Sequence, residues 1–305
     1  MSKEGDNGLQ SATRLIATLF GAPKEAPLYP HVDMRGSKQA QTLYVELPNQ
    51  YTRGFLLSGA QAKGREALMV STKFSYHAPL VVAGMYPTSE DRSPEDMALV
   101  IKASEDKITT VAVLDGVTGS GSSGPFAEAL AKVIASQGQL DIKGFFNPLN
   151  QTWLNTYSQT HAQFQGRGDA SMQIVQCKPV RDGYEVTTAI MGVQAIDGRE
   201  LTGFTLVVRP DGTSRFFEAP VQQGGIDPKH IAIAQEVFPR GSQIAVMTDQ
   251  IANPWRKDPA AFVKVFASIF PQGAQNADMK QLQKFQEQMR KYGSDDGTFI
   301  FMNLA

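Results

Sequence analysis

Four aspartates lie where predicted β-strands begin or end, positions from which side chains on different strands can meet. Asp115 directly follows an apolar run, and Gly116 after it frees the backbone to turn sharply. Asp249 follows a second apolar run after one threonine, and Asp96 and Asp295 each precede another. Carboxylates gathered in this way at one edge of a sheet sandwich could bind cations.

Such a cluster would call for hard metal ions. Like charges in a partly dry site repel strongly, so cations would have to offset them. Oxygen ligands without a nearby histidine or cysteine favour Mg²⁺ or Mn²⁺. The histidines show no zinc-ligand spacing and are widely scattered: His31, His77, His161 and His230. Aspartate is also common in turns, so the spacing alone leaves a structural role open for each one.

The hydrophobic pattern predicts two groups of strands separated by helices. Strands are predicted over 42–47, 53–57, 67–71, 79–82, 97–102 and 109–114, then over 172–177, 184–193, 203–208, 215–219, 244–247 and 298–302. Helices are predicted over 9–20, from Ser122 or Ser123 onward, and over 148–165, 258–269 and 279–292. This order predicts an α+β fold of mostly antiparallel sheets with the helices outside.

The composition excludes several classes of partner. The 305 residues include 29 basic and 30 acidic side chains, so no global field attracts nucleic acid or anionic lipid. No apolar run approaches the roughly 20 residues that span a bilayer, and the polar N-terminus is unlike a signal peptide. Cys177 is the single cysteine and cannot form an intramolecular disulfide. We expect a monomeric cytoplasmic protein.

The sequence around Asp115 resembles the signature of the type-2C, metal-dependent serine/threonine phosphatases. The stretch 111–124 carries a strand into Asp115-Gly116 and a Gly/Ser-rich turn, like the Asp-Gly-x-Gly-Gly element of that family. Glu95-Asp96, the Thr-Asp at 248–249 and the Gly-Ser-Asp-Asp-Gly-Thr at 293–298 resemble three further elements, in the family's order. The resemblance covers roughly residues 80–305. It divides the chain into an extension, 1–78, and a phosphatase-like domain, 79–305.

The resemblance implies a four-layer α-β-β-α sandwich with two Mg²⁺ or Mn²⁺ ions at its edge. It implies that Asp115 bridges both ions, that Asp249 and Asp295 bind one, and that the Gly116 carbonyl binds the other. Asp96 would act mainly through coordinated water. The implied reaction is hydrolysis of phosphoserine and phosphothreonine in proteins by a metal-activated water.

Arg92 lies in the polar loop before the Glu-Asp pair and is the candidate for binding the phosphate group of the substrate. The alternative is that it is an ordinary exposed loop arginine. Three departures from the family pattern bear on activity. Phe204 stands where the family has an aspartate that helps to hold a third metal, Gln250 replaces a glycine, and Thr118-Gly119 replaces a glycine pair.

The sequence therefore leaves three functions open. These are a phosphoprotein phosphatase, a pseudophosphatase of the same fold that acts as a binding module, and a metal-dependent hydrolase of small phosphoesters. Residues 1–78 are expected to pack on the core, with a regulatory domain or a partner-binding surface as the alternatives.

Overall fold

The computed structural model describes most of the predicted strands and the C-terminal helices. It describes residues 44–47, 50–58, 68–73, 79–86, 95–103, 108–116, six positions between 124 and 134, 170–194, 200–201, 203–219, 221–223, 231–271, 277–292 and 295–304. The predicted helices over 9–20 and 148–165 lie outside these residues.

The described strands form two sheets. The strands are β1 (Tyr44–Leu47), β2 (Gln50–Ser58), β3 (Leu68–Lys73), β4 (Leu80–Tyr86), β5 (Met97–Ala103), β6 (Thr109–Gly116), β7 (Ala170–Val180), β8 (Gly183–Gln194), β9 (Glu200–Leu201), β10 (Phe204–Val208), β11 (Ser214–Phe217), β12 (Val221–Gln223), β13 (Ala232–Pro239), β14 (Ser242–Met247) and β15 (Gly297–Leu304). A nine-stranded first sheet has the order β1-β2-β5-β6-β7-β8-β12, with β9 and β13 also paired to β8. A six-stranded second sheet has the order β11-β10-β14-β15-β4-β3.

The pairing is antiparallel throughout the described strands except for β12, which runs parallel to β8. Strands from the first 78 residues belong to both sheets, because β2 pairs with β5 and β3 pairs with β4. The division of the chain at residue 78 stays a prediction.

An apolar core fills the space between the sheets. Alternate residues of each strand point inward, so neighbouring strands contribute side chains at matching positions. This inter-sheet core is fully buried and includes Val81, Val100, Val113, Val175, Val246 and Ile300.

A second core lies between the second sheet and three helices: α1 (Asp249–Arg256), α2 (Pro259–Ile269) and α3 (Met279–Tyr292). It is rich in aromatic rings, among them Phe262, Phe266, Phe285, Phe299 and Phe301, which contact one another edge-on or stacked. None of the helices in the described part of the chain is long and apolar enough to cross a membrane.

Local sequence explains where α2 begins. Asp258 accepts a hydrogen bond from the backbone N–H of Ala261 at 3.0 Å, and Pro259 occupies the first turn, where its missing N–H costs nothing. Four of the helical positions between 124 and 134 are buried at helical spacing: Ala127, Leu130, Ala131 and Ile134.

The predicted α+β sandwich of mostly antiparallel sheets flanked by helices is confirmed.

Four elements were not predicted: the short strands β9 and β12, the strand β13 and the helix α1. α1 contains Pro254, which disfavours a helix interior, but burial of Ile251, Ala252 and Trp255 stabilises this short helix. β13 has polar residues in the middle of its sequence, and its pairing with β8 over its whole length makes it a strand.

Candidate metal centre

The two aspartates of the first sheet lie side by side at one end of the sandwich. Asp115 is near the end of β6 and pairs with Ser171 of β7. Continuing the β5–β6 register by one step brings Asp96 beside Asp115. Because side chains alternate along a strand, Asp96 lies on the same face of the sheet as Val100, and Asp115 on the same face as Val113. Both valines belong to the inter-sheet core, so both aspartates face the second sheet.

Asp115 is buried among other carboxylates. Only 8% of its surface is exposed. Burial is the main cause that raises its pKa well above the ordinary value, and the charges of Asp96, Asp249 and Asp295 raise it further. The other three aspartates singled out by the sequence therefore lie close enough for their charges to act on Asp115 in the folded chain.

Asp96 is still more buried, with 2% of its surface exposed. Burial raises the pKa of Asp96 first, and the charges of Asp296 and Asp295 add to this, while the nearby Thr298 side chain lowers it. Asp96 and Asp115 also act on each other, since the neighbouring Asp96 raises the pKa of Asp115 and the neighbouring Asp115 lowers that of Asp96.

A pair of threonines closes the second sheet beside these carboxyl groups. The Thr298 N–H donates to Thr248 Oγ1 at 3.1 Å, and the Thr248 N–H donates to the Thr298 carbonyl at 3.0 Å. Thr248 is also the N-cap residue of α1. Asp249 is therefore held in the first turn of a helix, where the helix dipole favours a negative charge.

The remaining aspartates precede β15. Asp295 Oδ1 accepts a hydrogen bond from the Asp296 N–H at 2.9 Å, and both residues are half-buried. Gly297 follows and pairs with Tyr86, and a Cβ at this position would overlap the Tyr86 ring. The glycine thus allows the close approach of β4 that holds the aspartate turn against the sandwich.

These residues fit a hard divalent cation. The donors are oxygens, and the buried Asp96 Oδ2 accepts no hydrogen bond from any described residue. A cation would offset the repulsion that raises the pKa values of Asp96 and Asp115. Among the described residues, however, no three His, Cys, Asp or Glu side chains already converge in a ligating geometry. Binding would therefore require the carboxylates to turn towards a common point.

The structure brings together Asp96, Asp115, Asp249 and Asp295, and Gly116 ends β6 next to Asp115. Arg92 lies outside the described residues. The assignment of ligand and catalytic roles to these residues stays a prediction.

Sequence reasoning missed Ser171, which becomes a neighbour of Asp115 only through strand pairing. Thr248, Asp296 and Thr298 lie inside the motifs at 248–249 and 293–298, but no role of their own was predicted for them. A signal existed for Asp296, since it is the second of two adjacent aspartates before the last strand.

Phe204 differs from the other departures because the structure explains where its side chain goes. It begins β10, is fully buried, and packs on the helix side of the second sheet. Its ring lies 5.5 Å from that of Phe216, and the Arg256 guanidinium lies over it at 5.2 Å. This position therefore contributes apolar packing, and it has no carboxylate to offer a third metal.

Comparison with known proteins relates the chain to solved structures only. No protein-family model matches it, and no curated protein matches it. The S. agalactiae serine/threonine phosphatase matches with a TM-score of 0.53 at 11% identity, over 78% of this chain and 100% of that one. The catalytic domain of the serine/threonine phosphatase PstP, solved with two manganese ions, matches with a TM-score of 0.52 at 10% identity, over 73% and 96%.

RsbX, solved in complex with magnesium, matches with a TM-score of 0.51 at 14% identity, over 77% of this chain and 100% of that one. Identities this low establish the fold and nothing finer. The chain therefore has the fold of the type-2C, metal-dependent serine/threonine phosphatases, as the resemblance of its motifs implied.

Proposed function

We propose that this protein is a metal-dependent phosphatase that hydrolyses phosphoserine and phosphothreonine in proteins. The observation that carries the proposal is the buried Asp96–Asp115 pair, whose pKa values are raised by burial and by neighbouring aspartates at the edge of a phosphatase-type sandwich. Keeping two carboxylic acids in such a place costs stability, and a divalent cation offers the compensation.

The chain's own residues would hold two Mg²⁺ or Mn²⁺ ions. Asp115 would lie between the ions, the Gly116 carbonyl would bind one, and Asp249 and Asp295 would bind the other. Asp96 would orient water beside them. Bound divalent ions would supply positive charge for the phosphoryl oxygens and a water acidic enough to attack at neutral pH.

The surroundings support these roles. The threonine pair at 248 and 298 fixes the start of α1, so Asp249 enters the site from a rigid element. The inter-sheet core behind Asp115 excludes bulk water and strengthens every charge interaction at this edge. Arg92 would bind the phosphate, and this role rests on its place in the sequence before Asp96.

The test is hydrolysis of a phosphothreonine peptide and of p-nitrophenyl phosphate in millimolar Mn²⁺. We expect Mn²⁺-dependent turnover that Asp115→Asn lowers on the order of a thousandfold, since charge stabilisation of the transition state is lost. Asp182→Asn is the matched control, because Asp182 is exposed in the β7–β8 turn at the other end of the sandwich. No turnover by the unaltered protein in millimolar Mn²⁺ would contradict the enzyme proposal.

A pseudophosphatase is the second candidate, favoured by Phe204 and by the unconverged carboxylates. It would bind Mn²⁺ or a phosphopeptide without turnover. Faster hydrolysis of nucleotides or sugar phosphates than of phosphopeptides would instead favour a small-phosphoester hydrolase. Cytoplasmic location and a monomeric state stay predictions.

A further inference from the structure

A glutamine lies in the apolar core directly behind the acidic cluster. Gln173 of β7 is completely buried and shares its strand face with Val175 and Cys177 of the inter-sheet core. Its Oε1 accepts no hydrogen bond from any described residue. A buried amide with an open acceptor costs free energy, and an apolar side chain would suit this position better for stability alone. Its presence calls for a role other than packing.

The amide of Gln173 points along β7 towards the site. Gln173 Nε2 donates to Ser171 Oγ at 3.3 Å, and Ser171 is also completely buried. A hydroxyl that accepts one hydrogen bond still has its own proton to donate. Ser171 is the ladder partner of Asp115, and side chains of such partners share one face with their Cβ atoms about 4.5–5.5 Å apart. The Asp115 carboxylate is thus within reach of the Ser171 hydroxyl.

The second sheet leaves room for this glutamine. Gly203, just before β10, lies against the Gln173 side chain, and a Cβ there would overlap the carboxamide. Gly203 is buried, so a larger residue would have to displace the amide within a closed core. The space beside Gln173 and its bond to Ser171 therefore depend on a glycine from the opposite sheet.

We propose that Ser171 and Gln173 are positioning residues that orient the Asp115 carboxylate for a divalent cation, with Gly203 providing the space they need. In the metal-bound protein, Gln173 would fix the Ser171 hydroxyl so that it donates to one Asp115 carboxylate oxygen and leaves the other for the cation. This inference rests on the proposed function, because it requires Asp115 to bind a cation. Residues that orient metal ligands typically change metal affinity by 10- to 100-fold when replaced.

The test is Mn²⁺ affinity of the full chain, measured by isothermal titration calorimetry, which does not depend on turnover. We expect Ser171→Ala and Gln173→Met each to weaken binding about tenfold, and Gly203→Ala to do the same by displacing the amide. Ser171→Thr keeps the hydroxyl and should retain most of the affinity.

Ser242→Ala is the matched control. Ser242 is a completely buried serine that donates to the Pro239 carbonyl at 2.7 Å, at the opposite end of β14 from Asp249. Its loss should lower the melting temperature and leave Mn²⁺ affinity unchanged.

The affinity measurements distinguish failure of the positioning role from failure of the proposed function. Unchanged affinity in folded Ser171→Ala and Gln173→Met proteins would overturn the positioning role and leave the proposed function standing. Equal weakening in Ser242→Ala would also overturn it, since the effect would then be general destabilisation. If Ser171→Ala does not fold, Gln173→Met and Gly203→Ala decide the question. Failure of the unaltered protein to bind Mn²⁺ would overturn the proposed function itself, and this inference with it.

Discussion

The two ends of the sandwich differ in the charges that their side chains bring together: carboxyl groups cluster at one end, and opposite charges pair at the other. At the acidic end, the groups that act on buried Asp115 are other aspartates, and the carboxyl pKa values rise. At the far end, formed by the turns near residues 181, 211 and 240, Glu236 pairs with Arg209 and with Arg215. Arginines there also lie over aromatic rings: Arg209 over Phe238 at 4.9 Å, Arg215 over Phe217 at 5.6 Å and Arg240 over Tyr184 at 5.4 Å.

The difference separates structure from function. At the far end, arginines pair with a glutamate and lie over aromatic rings near the solvent, as is usual on a stable protein surface. The acidic end concentrates like charges where water cannot screen them, which lowers stability unless something else binds. A fold that selection favoured for stability alone would not keep both arrangements, so the acidic end is where a ligand is expected.

The largest expected effect is stabilisation of the acidic end by metal. At a concentration 100 times its dissociation constant, a single bound ion adds about 2.7 kcal/mol to the free energy of unfolding. We expect Mn²⁺ to raise the melting temperature of the unaltered protein and of the far-end variant Glu236→Gln. The rise should be absent in Asp115→Asn. An equal rise in all three proteins would mean that the stabilising ion binds elsewhere.

The second prediction is that a substitution at a buried position stabilises the protein, whereas most such substitutions lower the free energy of unfolding. Without metal, Asp115→Asn removes one buried like charge, and we expect it to increase the free energy of unfolding by about 1–2 kcal/mol. Urea denaturation in EDTA measures this change. A clear loss of stability would show instead that the carboxyl pair stabilises the metal-free fold.

The third prediction concerns the far end. Arg209 and Glu236 are partly exposed, with side-chain exposures of 28% and 34%, so their ion pair should contribute little. We expect the coupling free energy from a double-mutant cycle of Arg209→Met and Glu236→Gln to be below about 1 kcal/mol, and smaller at high salt. A coupling of several kcal/mol would remove the contrast between the two ends.

Parts of the acidic end and the start of α2 could be predicted from the sequence because their signals are local. Asp115-Gly116 after an apolar run, and Asp258-Pro259 before a helical stripe, each specify a strand end or a helix start within a few residues. Burial of Asp96 and the contact between Gln173 and Gly203 depend on strands far apart in the chain, so no local pattern could reveal them. α1 escaped prediction for the same reason, because tertiary burial of Trp255 overrides the effect of Pro254.

The smallest expected effect concerns the reactivity of Cys177, which lies in the inter-sheet core between the two ends. Cys177 is fully buried, and burial raises the pKa of its thiol from 9.0 to about 12. The thiolate is the reactive form, so at pH 8 the folded protein should resist iodoacetamide, and labelling should follow global unfolding. The labelling rate should match in the unaltered protein and in Glu236→Gln once each is corrected for its stability. In metal-free Asp115→Asn it should be slower, in step with the stability gained. Rapid labelling of the native protein would mean that the core opens locally, and that the two ends are less rigidly joined than their continuous sheets indicate.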